Sequence, residues 1–311
     1  MPDPMMLISA ESRIKATTAR RAFTLIELLV VIAIIAVLTG ILLPAIGRAR
    51  GVAKAVKETA GARQVMLAYT MYTDDNAGKL LTGYMDDDAY SRALQRDELP
   101  TDATGSTIGG PPARRFPWRL VSYLDYNFDG MYLDRRVLER LADENGTFAS
   151  GSDERLVYSV SLFPSLGLNS YFVGGGGAGS GDSTLYGSTA SQFFGKFYRT
   201  RFDEVRSPST QMVFASARRQ SDFDDEVYEG SYVIRPPRLI ENQGYQWDEE
   251  YVEYIDTPGA QWGYLSLRHN LKGVSLYLDG HATMLDWEGF QDMRIWADEA
   301  TAPDWSVPIR R

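Results

Sequence analysis

Cysteine is absent from the 311-residue chain. Its absence excludes disulfide cross-links, zinc sites built on thiolates and catalysis by a thiol. Histidine is scarce as well, since the chain contains only His269 and His281. A catalytic mechanism that needs a histidine general base therefore has two possible positions at most.

Positive charge is in the minority: 32 Lys and Arg residues against 41 Asp and Glu residues give a formal net charge of −9. Nucleic-acid binding needs clustered basic residues that neutralise phosphates, so this balance argues against a nucleic-acid partner. The acidic residues are spread along the sequence, which is typical of a solvated surface. Apolar residues make up 44% of the chain, enough for a substantial core.

One long apolar run lies near the N-terminus, from Phe23 to Leu43. As an α-helix, its 21 residues would extend roughly 31 Å, which matches the hydrocarbon core of a bilayer. We therefore expect a membrane span, with a buried helix of a soluble protein as the alternative. Glu27 is the one charge in the run, and a carboxylate in hydrocarbon is costly unless it is paired. Cleavage before Phe23 would create an α-amine one turn away that could pair with Glu27.

The junction Arg20-Arg21-Ala22-Phe23-Thr24-Leu25-Ile26-Glu27 resembles the leader junction of type IV pilins and type II secretion pseudopilins. The resemblance implies that a prepilin peptidase cuts between Ala22 and Phe23 and methylates the new amine. It implies that Glu27 aids assembly with other pilin or pseudopilin subunits. It also implies a helix kink at Pro44. Ala22 departs from the usual pattern, in which glycine precedes the cleaved bond.

Membrane orientation follows from the resemblance rather than from charge. Four basic residues lie in the leader and four lie shortly after the span, so the positive-inside rule does not decide between the two orientations. The resemblance implies a cytoplasmic leader, a single pass through the inner membrane and a domain exported to the periplasm or cell surface. It further implies contact with the inner-membrane assembly machinery of a type II secretion or type IV pilus-like filament.

Three parts are expected: a leader over residues 1–22, a helix over 23–72 that becomes amphipathic beyond the membrane, and an exported domain over 73–311. Apolar residues after the span recur at spacings of three, four and seven, which predicts one stripe on which the domain packs. The stripe consists of Ala49, Val52, Ala53, Val56, Ala60, Leu67 and Met71. Glu58 falls on the opposite, polar face. Asp74 to Gly78 predict the end of the helix.

The rest of the pattern predicts an α+β fold, in which the long helix packs on an antiparallel β-sheet in a pilin-like way. Runs rich in Tyr, Phe and Val predict five strands. These are Leu156–Leu162, Ser170–Val173, Phe193–Phe202, Gln211–Ala217 and Gly230–Ile234. Asp279-Gly280 between two apolar runs predicts a hairpin with a two-residue type I′ turn that pairs Leu278 with His281.

The same region carries a second resemblance. His269, nine further residues and then Asp279-Gly280 resemble the H-X9-DG motif found near the C-terminus of many prepilin-like proteins. His269, Asp279 and His281 could form a metal cluster. The alternative is that Asp279 shapes the turn while each histidine donates a structural hydrogen bond.

Calcium is the one cofactor that the sequence suggests. Asp125, Asn127 and Asp129 place oxygen ligands at alternate positions before Gly130, as in the first half of an EF-hand loop. Arg136 occupies the twelfth position, where a glutamate belongs, and Asp134 could contribute from the tenth. An ordinary turn rich in Asp and Asn is the alternative.

Motifs of hydrolytic catalysis are missing, including Gly-x-Ser-x-Gly and His-Glu-x-x-His, so we expect no enzymatic activity. A structural pseudopilin or pilin-like subunit is the favoured interpretation. A membrane-anchored, adhesin-like surface protein that uses the prepilin route only for export is the alternative. An enzyme on a pilin-like anchor is the third class.

Overall fold

The computed structural model describes residues 25–128, 130–134, 136–137, 139, 154–176, 192–221, 225–241, 246–248, 250–252 and 259–310. The chain divides into two compact units, one that ends at Arg50 and one that begins at Gly51. The second unit therefore includes helical residues that precede the predicted exported domain. The three-part division into 1–22, 23–72 and 73–311 stays a prediction.

Helix α1 runs from Leu25 to Asp75 and continues through Pro44. Every residue from 25 to 50 is exposed. Among the described residues, α1 is the one helix long and apolar enough to cross a membrane, by length and composition. The helix ends where predicted, because the Gly78 amide folds back to donate to the Thr73 carbonyl at 2.8 Å. Ala77 and Gly78 adopt the positive φ values of 55° and 79° that this reversal needs.

The apolar stripe predicted on α1 is not the face that packs on the domain. All seven of its residues are exposed, and Val52, Val56 and Leu67 each expose more than 60% of their surface. The buried face consists instead of Glu58, Gly61, Ala62, Val65, Met66, Ala68, Tyr69 and Thr73. Small residues on this face permit close approach: a Cβ on Gly61 would lie 2.5 Å from the Gly130 carbonyl oxygen.

A four-stranded antiparallel sheet packs against the buried face of α1. The strands are β1 (Leu166–Leu168), β2 (Met212–Ser216), β5 (Gly273–Tyr277) and β6 (Ala282–Leu285), in the order β1-β2-β5-β6. A small second sheet joins β3 (Arg219–Gln220) to β4 (Val227–Tyr228). The ring of Tyr69 in α1 meets Phe214 of β2 edge-on, with 5.6 Å between ring centroids. The predicted α+β class is confirmed.

Short helices complete the described part of the domain. They are α2 (Asp87–Gln95), α3 (Gly110–Arg114), α4 (Phe116–Leu120), α5 (Glu154–Leu162) and α6 (Trp287–Gln291), with 3₁₀ turns at Val121–Leu124, Phe202–Glu204, Gly259–Trp262 and Met293–Ile295. The strand predicted over Leu156–Leu162 is therefore wrong. Its buried residues Leu156, Val157 and Val160 have helical spacing, which a short apolar run does not distinguish from a strand.

Of the other predicted strands, only Gln211–Ala217 forms one, as β2. The segments 170–173, 193–202 and 230–234 are buried to varying degrees but make isolated bridges rather than ladders, such as Val173 with Arg199 and Val233 with Leu168. Aromatic and β-branched residues fill the core from irregular backbone here. Composition alone therefore gave a false strand signal.

The C-terminal hairpin forms, but its register differs by one residue from the prediction. Leu276 pairs with Ala282 and Ser275 with Thr283, which leaves a loop of three residues. Leu278 does not pair with His281, because its amide donates to the Gln211 carbonyl at 3.0 Å and draws the residue into the core. Gly280 has φ +92°, whereas Asp279 is not in the left-handed region. This matches a three-residue loop closed by a left-handed glycine rather than a type I′ turn.

Candidate functional site

The residues of the predicted cleavage junction lie at the start of α1 or just before it. Glu27 occupies its first turn and is exposed. A carboxylate there is favoured by the positive end of the helix dipole. Ala22 and Phe23 lie outside the described residues, so cleavage and methylation at that bond stay predictions. Pro44 lies inside the continuous helix, and its predicted kink also stays a prediction.

Glu58 is the centre of a buried polar cluster on the domain side of α1. Its side chain is 2% exposed. The Ser216 hydroxyl donates to Glu58 Oε1 at 2.6 Å, and Arg268 Nη2 lies 3.2 Å from the same oxygen. His269 Nε2 hydrogen-bonds the other oxygen, Oε2. Three elements therefore converge on one carboxylate: α1, β2 and the segment that precedes β5.

Arg268 links Glu58 to a second carboxylate. Arg268 also pairs with Glu229 at 2.9 Å and donates to the Ser165 carbonyl at 2.7 Å. Burial alone would raise the pKa of the Glu58 carboxyl. The charge of Arg268 and the hydrogen bonds from His269 and Ser216 outweigh burial and hold that pKa below its usual value. Glu58 is therefore ionised at neutral pH, and its charge is satisfied inside the protein.

Local backbone geometry positions Ser216 and His269 beside Glu58. Ser216 ends β2, and its hydroxyl oxygen also accepts the Val274 amide of β5 at 2.8 Å. His269 begins a tight turn, in which its amide and carbonyl exchange hydrogen bonds of 3.0 and 3.1 Å with Lys272. Asn270 and Leu271 at the turn's centre have φ values of 53° and 60°. This turn, two residues long, reverses the chain and presents His269 to α1.

The second half of the H-X9-DG motif lies at the hairpin loop. Asp279 Oδ1 accepts hydrogen bonds from the His281 amide at 3.1 Å and from His281 Nδ1 at 2.6 Å. The His281 ring stacks on Tyr277, with ring centroids 4.3 Å apart. No three His, Asp or Glu side chains come together as a metal ion would need, within the ranges that the structure describes. Each histidine instead hydrogen-bonds its own carboxylate, His269 to Glu58 and His281 to Asp279.

The loop predicted to bind calcium is only partly described. Asp125 ends a 3₁₀ turn with φ 52°, and Asp129 lies outside the described residues. Asp134 is already engaged, because its Oδ2 lies 2.7 Å from Arg136 Nη2 and accepts the Glu229 amide at 3.0 Å. Asp134, which the sequence pattern offered as a calcium ligand from the tenth position, is therefore already paired with groups of the protein. Calcium at Asp125, Asn127 and Asp129 stays a prediction.

Sequence reasoning missed Glu58 as the partner of His269, and it missed Arg268 and Ser216 as the other groups that bind the Glu58 carboxylate. One sequence pattern could have revealed Glu58: the residues of the buried face follow it at spacings of three and four, the same period as the exposed stripe. The helix therefore carries two faces with helical spacing, the exposed apolar stripe and the buried face, and only the second packs on the domain. The more apolar stripe gives the stronger sequence signal, although the other carries the small residues that let a helix approach a sheet.

Comparison with known proteins bears on the N-terminus alone. A family model described as the prokaryotic N-terminal methylation motif matches residues 17–43. The matched segment contains Ala22, Phe23 and Glu27, and it ends with the apolar run. No curated protein matches the chain, and no solved structure matches it either. The domain beyond residue 43 is therefore interpreted from its own geometry.

Proposed function

We propose that this prepilin-like chain is a structural pilin or pseudopilin subunit. Prepilin peptidase cuts it between Ala22 and Phe23 and methylates Phe23, and the mature chain assembles into a type II secretion or type IV pilus-like filament. The observation that carries the proposal is the match of the N-terminal methylation motif to residues 17–43. The match coincides with the start of a helix that can cross a membrane.

The position of Glu27 gives the proposal a physical reason. After cleavage the α-amine of Phe23 lies one turn from Glu27, and in hydrocarbon each charge needs an opposite partner. A neighbouring subunit's amine can supply that partner as well as the chain's own. Pairing between subunits then favours assembly over isolated membrane-bound copies.

The H-X9-DG residues have a part in the same proposal. A filament subunit transmits force between its membrane helix and its domain, so the two must be joined firmly. The bond from His269 to Glu58 ties the C-terminal hairpin region to α1. Asp279 and Gly280 shape the loop of the same hairpin. We assign the motif to this junction rather than to catalysis.

Cell fractionation after shearing tests the assembly step, with Glu27→Ala as the variant. Thr39→Ala is the matched control, since Thr39 is also a polar residue in the apolar part of α1. Within the described residues its hydroxyl donates to the backbone carbonyls of its own helix, at Ile35 and Ala36. We expect the parent and Thr39→Ala in the sheared fraction, while Glu27→Ala is cut normally but stays in the membrane. Normal filament yield from Glu27→Ala would refute the filament role. Mature parent protein found only as membrane-bound monomers would favour the surface-binding alternative.

A further inference from the structure

A half-open cavity lies where the last turns of α1 meet the 3₁₀ turn Phe202–Glu204 and the residue that follows β5. Its volume is about 300 Å³. Met66, Tyr69, Phe202 and Leu278 supply its apolar lining. Phe202 is 43% exposed, so the cavity has an apolar side that solvent can reach. The volume is at the small end of the range for ligand sites, which suits a short group rather than a large ligand.

The threonine hydroxyls that line the cavity already donate their protons to the helix backbone. Thr70 donates to the Met66 carbonyl at 3.0 Å, and Thr73 donates to the Tyr69 carbonyl at 2.9 Å. Their oxygens therefore offer a ligand acceptor lone pairs only. The Tyr69 hydroxyl lies by the backbone of Leu81, a residue that does not line the cavity.

The backbone amides of three lining residues also have acceptors within the protein. The Gly78 amide donates to the Thr73 carbonyl at 2.8 Å, and the Phe202 amide donates to the Gly78 carbonyl at 2.8 Å. The Leu278 amide donates to the Gln211 carbonyl at 3.0 Å. None of these three amides is therefore free to bind an acceptor atom of a ligand.

Two carboxylates and one cation line the cavity, which gives it a net charge of −1. Arg201 Nε lies 3.0 Å from Asp203 Oδ1, so the cationic side chain already pairs with one of the carboxylates. The other carboxylate, that of Asp74, is exposed. Within the ranges that the structure describes, no hydrogen bond or ion pair reaches the Asp74 side chain. The α1 side of the cavity is therefore rich in hydrogen-bond acceptors beside an apolar lining.

From these observations we infer that the cavity binds a primary ammonium group carried on a short apolar stem. The ammonium donates to the Asp74 carboxylate and the threonine oxygens, while the stem packs on Met66 and Phe202. An ammonium has three donors and no acceptor, which matches this lining. An anionic ligand would instead meet an unpaired carboxylate. Every lining residue belongs to the second compact unit, so the inference is independent of filament assembly.

Methyl NMR of the full-length protein in detergent, with labelled methionine methyl groups, tests the inference. Met66 lines the cavity and reports on its occupancy. Met293 is fully buried and does not line the cavity, so its methyl group is the internal control. The signal that is lost in Met66→Leu identifies the Met66 methyl group. The probes are n-butylamine, which is ionised at pH 7, n-butyltrimethylammonium, which has the same charge but no N–H group, and n-butyrate.

We expect n-butylamine to shift the Met66 signal saturably while the Met293 signal stays in place. The trimethylammonium probe should bind more weakly, because it has no N–H donor. Asp74→Asn should weaken n-butylamine binding about fivefold, as expected for one solvent-screened ion pair. Asp75→Asn is the matched control, since it removes the neighbouring carboxylate, which does not line the cavity, and it should bind n-butylamine like the parent.

No saturable shift of the Met66 signal with n-butylamine would overturn the inference. Equal affinity for n-butyrate or the trimethylammonium probe, or unchanged affinity in Asp74→Asn, would overturn it as well. Nα-acetyl-lysine-N-methylamide distinguishes the sources of the ammonium group. Binding at least as tight as that of n-butylamine would assign the cavity to a lysine side chain of a partner protein, and weaker binding would assign it to a free small amine.

Discussion

Glu58 and His269 lie 211 positions apart in the sequence, and their side chains hydrogen-bond in the interior of the domain. One residue belongs to the N-terminal helix and the other to the segment that leads into the C-terminal hairpin. Arg268 and Ser216 bind the same carboxylate. The two ends of the folded domain are therefore joined at one buried carboxylate, which acts together with the apolar residues of the buried face to hold α1 on the domain.

Replacing Glu58 should destabilise the domain strongly, because its carboxylate is the shared partner of a buried polar cluster. Glu58→Leu leaves Arg268, His269 and Ser216 without their shared partner in the interior, a loss of about 3–5 kcal/mol. His269→Leu removes one hydrogen bond to Glu58, while Arg268 still pairs with that carboxylate. The free energy of unfolding should therefore fall by about 1–3 kcal/mol. Urea unfolding of fragment 51–311 gives both values.

Gln64→Leu is the matched control for these variants, because Gln64 is exposed on the same helix. Its effect should remain within about 0.5 kcal/mol. If Glu58→Leu unfolds at the same urea concentration as this control, the buried cluster does not hold the helix to the domain.

Acid should weaken the domain through the same residue. The folded pKa of Glu58 lies below its unfolded value near 4.5. Its ionised form therefore contributes stability above about pH 4.5, and this contribution is lost as the pH falls through the folded pKa. Glu204 acts in the same direction: burial opposes ionisation there, but Lys196 and Thr200 lower its pKa to about 2.

Urea midpoints of fragment 51–311 measured between pH 6 and pH 3 test this dependence. We expect the midpoint to fall across the window, and to fall less steeply in Glu58→Gln, which has no proton to take up. The exposed Glu98→Gln variant is the control and should follow the parent. Parallel curves for the parent and Glu58→Gln would mean that Glu58 takes up its proton equally in the folded and unfolded chains.

The close approach of α1 to the domain predicts opposite effects at two glycines of one helix. Gly51→Ala meets nothing within 4 Å and should stabilise by up to about 1 kcal/mol through helix propensity. Gly61→Ala gains the same propensity but places Cβ 2.5 Å from the Gly130 oxygen, so overpacking should cost about 1–3 kcal/mol. Thermal unfolding of the full-length chain in detergent compares them. Equal shifts at both positions would contradict the packing.

Much of this architecture could be predicted from local patterns. The long N-terminal helix, its end before Gly78, β2 and the C-terminal hairpin follow from apolar length, turn residues and alternation. The packing face of α1 could not be predicted in this way. Glu58 is a charged residue of a kind usually found at the surface, and the partners that permit its burial, Arg268 and His269, are distant in the sequence. Long-range pairing of charges is not encoded in any short window of sequence. The same limit explains the hairpin register, which is set by the distant bond from Leu278 to Gln211.

The conformation of the hairpin loop predicts which residues can replace Gly280. Its φ of +92° strongly disfavours a β-branched residue, and nothing lies within 4 Å of a Cβ placed there. Gly280→Val should therefore cost about 1–3 kcal/mol from backbone strain alone. Gly280→Asn should cost less, because asparagine enters the left-handed region more readily. Melting temperatures of fragment 51–311 compare the two, and equal values would contradict the observed loop.

Mass spectrometry of the N-terminal peptide of membrane-extracted protein tests the central claim most directly. The cells must contain an active prepilin peptidase, and a strain lacking it provides the control. We predict a mature chain that begins at Phe23 with a methylated α-amine, and an uncut chain in the control strain. A protein that retains its leader from Met1 in peptidase-containing cells would contradict the account.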